Sequence, residues 1–257
     1  MTIEPGIHEY DETINGIEVR YLLDHKVRST DIIVFVHGLA CTKDTFRHVF
    51  DKPYFPDSSL LIMDLAGFGD SSKSGDYSYT MEDQARLYES IIDKLSPFTL
   101  HLVAHSMGAA VALLFAERTF KKVKSFANIE GNLIAEDCNM LSRRIANLSF
   151  DQYESRMFVK QKTRFRDDIL LRFDSTTPRA VYKSSVSLVR WSDSGELLRR
   201  YNNLACRKRY FWGENNAGMP VLGKLNEEEK CMISGSGHGM MIENPEEFYS
   251  KLVDFIR

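Results

Sequence analysis

Six short, largely apolar runs punctuate this chain, at residues 32–36, 60–63, 100–103, 125–129, 209–212 and 231–233. None alternates strictly between apolar and polar, which is the pattern of strands buried on both faces of a parallel sheet. Helical patterns lie between several of them. Within residues 80–95, Met81, Ala85, Tyr88, Ile91, Ile92 and Leu95 recur at helical spacing, and residues 107–117 and 245–256 read the same way, with Pro245 suited to a first turn. Ahead of these, residues 7–14 and 17–23 alternate around Asn15-Gly16, the signature of an antiparallel hairpin. A hairpin followed by alternating strands and helices predicts an α/β protein built on a doubly wound, mostly parallel sheet.

Residues 133–201 break that rhythm. They contain no convincing strand and are rich in arginine and aromatics, among them Phe150, Tyr153, Phe158, Phe165, Phe173, Tyr182 and Trp191. Their periodicity predicts three or four short helices, broken near Ser175-Thr176-Thr177-Pro178. We therefore expect a helical cap at 133–201, inserted into a core formed by 1–132 and 202–257. Between residues 138 and 200, thirteen Lys and Arg stand against seven Asp and Glu, in a chain whose formal charge is −3.

That overall balance lacks the basic excess of a nucleic-acid binder, so no nucleic-acid partner is expected. At 257 residues and 43% hydrophobic, the chain is long enough to bury a large core and too apolar for disorder. No stretch approaches the roughly 18 apolar residues of a membrane span, and the first twenty residues lack the apolar run of a signal peptide. Cys41, Cys138, Cys206 and Cys231 are scattered, without CxxC or zinc-ligand spacing. The expectation is a cytoplasmic protein with reduced thiols, no metal and no membrane partner, its oligomeric state not legible.

The chemistry begins at Leu102-Val103-Ala104-His105-Ser106-Met107-Gly108. A buried strand runs directly into a helix with Ser106 at the junction, between residues small enough for a sharp turn. The pattern is that of G-x-S-x-G with Ala104 in the first position, which adds one methyl group. With this segment the sequence resembles the α/β-hydrolase superfamily over nearly its whole length. The resemblance implies that Ser106 is a nucleophile. It also implies that Phe35-Val36-His37-Gly38-Leu39-Ala40 supplies an oxyanion donor, the N–H of Leu39, with a second from Met107 at a helix N-terminus. In that loop His37 is expected to organise the backbone. Asp64-Leu65-Ala66-Gly67-Phe68-Gly69-Asp70-Ser71-Ser72 matches the family's D-x-x-G-x-G-x-S turn, with Asp64 structural. A phosphate cradle is excluded, because the third glycine and any Gly-Lys-Ser continuation are missing.

Gly235-Ser236-Gly237-His238-Gly239, followed by an apolar pair and Asn244-Pro245-Glu246-Glu247, matches the segment bearing the family's general base, here His238. A serine hydroxyl needs such a base at neutral pH. His8, His25, His48 and His101 lack that setting, and His105 is expected to pack locally beside the nucleophile. The orienting acid has two candidate places. Relatives most often carry it after the penultimate strand, where this chain has Asn216 in the usual position and Glu214 two residues earlier. Some carry it at the end of the preceding strand, here Glu130, which is the expected acid; Glu214 is the alternative, and Asp137 a lesser one.

The resemblance thus implies a carboxylesterase-like serine hydrolase acting on a small-molecule ester through an acyl-enzyme, with no cofactor. The same residues on another bond (carbon–carbon, lactone, thioester or acyl transfer) and a non-catalytic receptor on this scaffold stay open. The aromatic cap suggests an apolar pocket. Its positive balance suits anionic substrates such as carboxylated esters, although a charge excess more commonly forms a solvated face.

Overall fold

The computed structural model describes residues 5–27, 29–118 and 122–257. Eight strands form one sheet: β1 (Gly6–Ile14), β2 (Ile17–His25), β3 (Asp31–Val36), β4 (Ser59–Met63), β5 (Thr99–His105), β6 (Val123–Ile129), β7 (Arg207–Gly213) and β8 (Lys230–Ile233). Their order is β1-β2-β4-β3-β5-β6-β7-β8. The hairpin is antiparallel, closed by Asn15 and Gly16, both at positive φ, and β2 meets β4 antiparallel. Every pairing from β4 through β3 to β8 is parallel. This is the doubly wound sheet that the run pattern predicts.

The missing alternation in the strands follows from cover on both faces. In β3, Ile32, Val34 and Val36 enter one core while Ile33 and Phe35 enter the other, and all five are buried. The first core takes the inner faces of α1 (Met81–Leu95) and α2 (Met107–Arg118). The second takes a 3-10 helix at Lys43–Phe50 and the C-terminal helix. Successive side chains of a strand point to opposite faces, so only a sheet covered on both sides demands an unbroken apolar run. Helix α1 starts where the Thr80 hydroxyl accepts the Asp83 N–H.

Between β6 and β7 the described chain is helical: α3 (Ser142–Ala146), α4 (Phe150–Gln152), a π-helical stretch at Tyr153–Phe158, α5 (Val159–Arg164), α6 (Pro178–Asp193) and α7 (Glu196–Asn203). Helix α6 begins with Pro178 in its first turn and the Thr177 hydroxyl accepting the Ala180 N–H. The break expected near residues 175–178 falls there. The chain ends with α8 (Met240–Glu243) and α9 (Pro245–Ile256), the latter with the bounds that the sequence pattern predicts.

Parallel strands place their carboxyl ends on one edge, and the following loops gather there. Ser106 follows β5, Glu130 follows β6, Glu214 follows β7 and His238 follows β8. Residues far apart in sequence meet along that edge.

Candidate active site

Ser106 has φ 53, an uncommon conformation for a residue with a β-carbon, held by the tight junction of β5 and α2. Its N–H donates to the Ile129 carbonyl at 3.0 Å, and its own carbonyl accepts from Ala109. The elbow needs glycine on two sides. A β-carbon on Gly108 would lie 2.4 Å from the Val36 carbonyl oxygen, and one on Gly38 would lie 3.0 Å from the Ser106 β-carbon. Those glycines let α2 and the loop after β3 close on the serine.

His238 meets its carboxylate at Glu130. The ring Nδ1 donates to Glu130 Oε2 at 2.8 Å. Glu130 is 3% exposed, follows β6 at φ 40, and also accepts from the Gly213 N–H at 2.9 Å. The Asn216 amide donates to both of its oxygens, at 3.0 and 2.9 Å. Burial pushes the Glu130 carboxyl up, but the bonds from His238, Gly213 and Asn216 outweigh that cost and hold it below the ordinary glutamate value. The carboxylate is thus ionised and fixed, and its acceptance of Nδ1–H selects the imidazole tautomer with the lone pair on Nε2.

The other two carboxylates do different work. Glu214 Oε2 accepts the Gly235 N–H at 2.8 Å, bracing the loop that carries His238. Asp137 Oδ2 accepts from the N–H groups of Leu133 and Ile134, at 2.8 and 3.0 Å. Asn216, at the position where the resemblance leads one to look for an acid, donates to the Glu130 carboxylate at the end of the neighbouring strand.

Two contacts had no sequence signal. His105 is buried, its Nε2–H donates to the main-chain oxygen of His238 at 3.0 Å, and the two rings lie 4.6 Å apart. Burial, first, and the neighbouring His238 charge push its pKa well down, so it stays neutral. Lys43, also buried, donates to Asp64 at 3.1 Å and to Asp70 at 2.5 Å, tying the loop after β3 to the loop after β4. The backbone N–H of Lys43 also reaches Asp64, at 2.6 Å.

His37 Nε2 accepts the Leu65 N–H at 2.9 Å while Nδ1–H donates to the Gly38 carbonyl at 2.8 Å, so its ring braces backbone on both sides. Ala40, next to Leu39, has φ 57. Met107 opens α2, where its N–H has no partner within the helix.

A cavity of about 620 Å³ opens at this edge of the sheet. Leu39, Ser106, Glu130 and His238 line it, together with Phe165 and Leu171 from the segment between β6 and β7. A second depression of about 770 Å³ lies at the opposite edge, around Asp31, Phe98 and Thr99 where the strands begin, away from Ser106. Among the described residues no group of His, Cys, Asp and Glu is placed to hold a metal ion, and no helix is long and apolar enough to cross a membrane.

A model of the alpha/beta hydrolase fold matches residues 31–245. The chain belongs to that family. Over 99 residues this α/β-hydrolase chain is 36% identical to "Probable lysophospholipase BODYGUARD 4" of Arabidopsis thaliana, a match covering 36% of this chain and 23% of that protein. Over 94 residues it is 34% identical to Lipase 1 of Psychrobacter immobilis, covering 36% of this chain and 29% of that protein. Each match takes in less than a third of the relative's length. Among solved structures, the N-acyl homoserine lactonase AidH complexed with N-butanoyl homoserine superposes with a TM-score of 0.75 at 17% identity, over 98% of this chain and 97% of that one. An esterase from Exiguobacterium antarcticum gives 0.71 at 14% identity, over 98% and 99%. At such identities the likeness is one of fold.

Proposed function

We propose that this α/β-hydrolase chain is a serine hydrolase that cleaves a carboxylic ester of a small-to-medium apolar substrate through an acyl-enzyme. The observation that carries the reading is the bond of 2.8 Å between His238 Nδ1 and the buried Glu130, in the cavity whose wall also bears Ser106 at φ 53. Three residues from three loops converge on one opening, with the imidazole tautomer already selected.

In the proposed reaction His238 Nε2 takes the Ser106 hydroxyl proton as Oγ bonds to the ester carbonyl carbon. The N–H groups of Leu39 and Met107 hold the negative oxygen that forms; one such donor typically contributes about a hundredfold or more in rate. Glu130 balances the imidazolium. The tetrahedral species expels the alkoxide, which takes the proton from His238 and leaves as alcohol. Water then gives a proton to His238 and attacks the acyl carbon, and the collapse of the second tetrahedral species frees the acid and restores Ser106. Residues 133–201 act as the cap: Phe165 and Leu171 supply apolar wall, so an acyl or alcohol chain displaces water on entering.

The test is turnover of p-nitrophenyl esters of increasing acyl length, with Ser106→Ala as control. We expect hydrolysis that depends on chain length and falls by several powers of ten in the variant. Turnover undiminished in Ser106→Ala would overturn the mechanism.

A further inference from the structure

The cap's surplus of cations does not reach the cavity. Of the thirteen Lys and Arg between residues 138 and 200, none lines it, and no Lys or Arg from elsewhere among the described residues does either. The acidic side chains on the wall are Glu130, Glu136 and Asp137. Glu130 is committed to His238. The other two stand side by side in the 3-10 turn Ala135–Cys138. Asp137 spends Oδ2 on the Leu133 and Ile134 N–H groups, which leaves Oδ1 for another donor. Glu136 is exposed, and no ion pair or hydrogen bond engages its carboxylate among the described residues. Arg143, on the neighbouring α3, has its guanidinium held by Asp193 at 2.6 and 2.5 Å and by the Ala135 carbonyl at 3.0 Å. Arg143 is outside the lining.

Resting on the ester-hydrolase reading, we propose that this cavity admits esters whose chains are neutral or carry an ammonium group and rejects those carrying a carboxylate, with Glu136 and Asp137 as the determinants. Beside the apolar Met140, Leu141, Phe165, Leu171 and Met219, the wall carries uncharged amides and hydroxyls (Asn132, Ser142, Asn215, Asn216) and the imidazoles of His105 and His238, and it offers no Lys or Arg as countercharge for a substrate anion. Like charges about 7 Å apart near a protein surface repel enough to change affinity on the order of tenfold or more. An ammonium group gains a comparable amount and meets Asp137 Oδ1 as a hydrogen-bond acceptor. The selectivity therefore runs opposite to the one suggested by the cap's net charge, because none of its arginines and lysines lines the opening.

The experiment compares esters matched in length and differing in charge: ethyl hexanoate, ethyl 6-aminohexanoate and monoethyl adipate on the acyl side, 3,3-dimethylbutyl butyrate and butyrylcholine on the alcohol side. We expect kcat/KM for monoethyl adipate to fall at least about tenfold below ethyl hexanoate, and an ammonium ester to equal or exceed its neutral partner in at least one series. Glu136→Lys should raise the adipate-to-hexanoate ratio by about tenfold, Glu136→Gln by less, and Lys160→Glu, outside the cavity, should leave it unchanged. Adipate turnover within about threefold of the neutral ester, or a penalty that persists through both Glu136 variants, would overturn the proposal. Should no ester be turned over, the hydrolase reading fails separately, and calorimetry on Ser106→Ala with hexyltrimethylammonium and hexanoate still decides the selectivity. Tighter binding of the ammonium, weakened by the added Glu136→Lys, supports it; equal or tighter binding of hexanoate, or binding of neither, overturns it.

Discussion

Glu130, one residue past the end of β6, and His238, in the loop after β8, are separated by 108 residues and joined by a hydrogen bond of 2.8 Å. The sheet makes the meeting possible, since β6, β7 and β8 are neighbours and run the same way. The Gly213 N–H and the Asn216 amide, both from the end of β7, then hold the carboxylate from the side.

That arrangement ranks the acids. Glu130→Gln should lower kcat for any ester the protein hydrolyses by about two to four powers of ten, because an amide neither fixes the tautomer nor balances the imidazolium. Glu214→Gln keeps an oxygen for the Gly235 N–H and should stay within about threefold of wild type. Steady-state kinetics of the two variants settles the order; the reverse ranking would show that Glu130 is not the orienting acid.

Gly108→Ala should destabilise the protein by about 1–3 kcal/mol, since its methyl would overlap the Val36 and His37 carbonyl oxygens. Chemical denaturation measures the loss. Unchanged stability would mean that α2 can move off the loop after β3 without cost.

Lys43→Met leaves the buried Asp64 without its cation and should cost roughly 3 kcal/mol, even though the backbone N–H groups of Lys43 and Asp70 still reach that carboxylate. A midpoint equal to that of wild type in urea would contradict the assignment of Lys43 as the clamp between the two loops.

Asp137 carries a stability signature in pH. Burial pushes its carboxyl up from the ordinary 3.8 to about 6. A carboxyl whose folded value exceeds its unfolded value favours the fold below the lower value. That advantage is lost as pH rises and is gone above the folded value. Asp137→Asn keeps an oxygen for the Leu133 and Ile134 N–H groups without the half-buried charge. It should gain on wild type by up to about 3 kcal/mol between pH 4 and pH 7. Thermal or urea unfolding at both ends of that window tests it; a gap that does not change with pH would show that the Asp137 carboxyl is not raised in the folded protein.

Much of the fold is legible in the chain because its two strongest constraints are local. Short, largely apolar runs without strict alternation identify strands covered on both faces, and Asn15-Gly16 and Asn244-Pro245 mark a hairpin turn and a helix start through backbone preference alone. Ser106 and His238 stand out for the same reason, each at a junction with small neighbours. The 3-10 helix at Lys43–Phe50 is not legible, since its buried lysine is satisfied by carboxylates twenty or more residues away. The same holds for the bond from His105 to His238 and for the Asn216 amide on Glu130. Periodicity reports which face of an element is buried, whereas such partners are set by which loops the sheet order brings together. The carboxylate that meets His238 has two candidate loops in the sequence for that reason, and the net charge of residues 138–200 does not tell which side chains face the cavity.

The central claim is that Ser106 is made reactive by His238. A fluorophosphonate probe reads this without knowledge of the substrate: the intact protein should gain the mass of one phosphonyl group on the peptide containing Ser106, and both Ser106→Ala and His238→Ala should abolish labelling. Labelling on another residue, or at an undiminished rate in His238→Ala, would contradict the account.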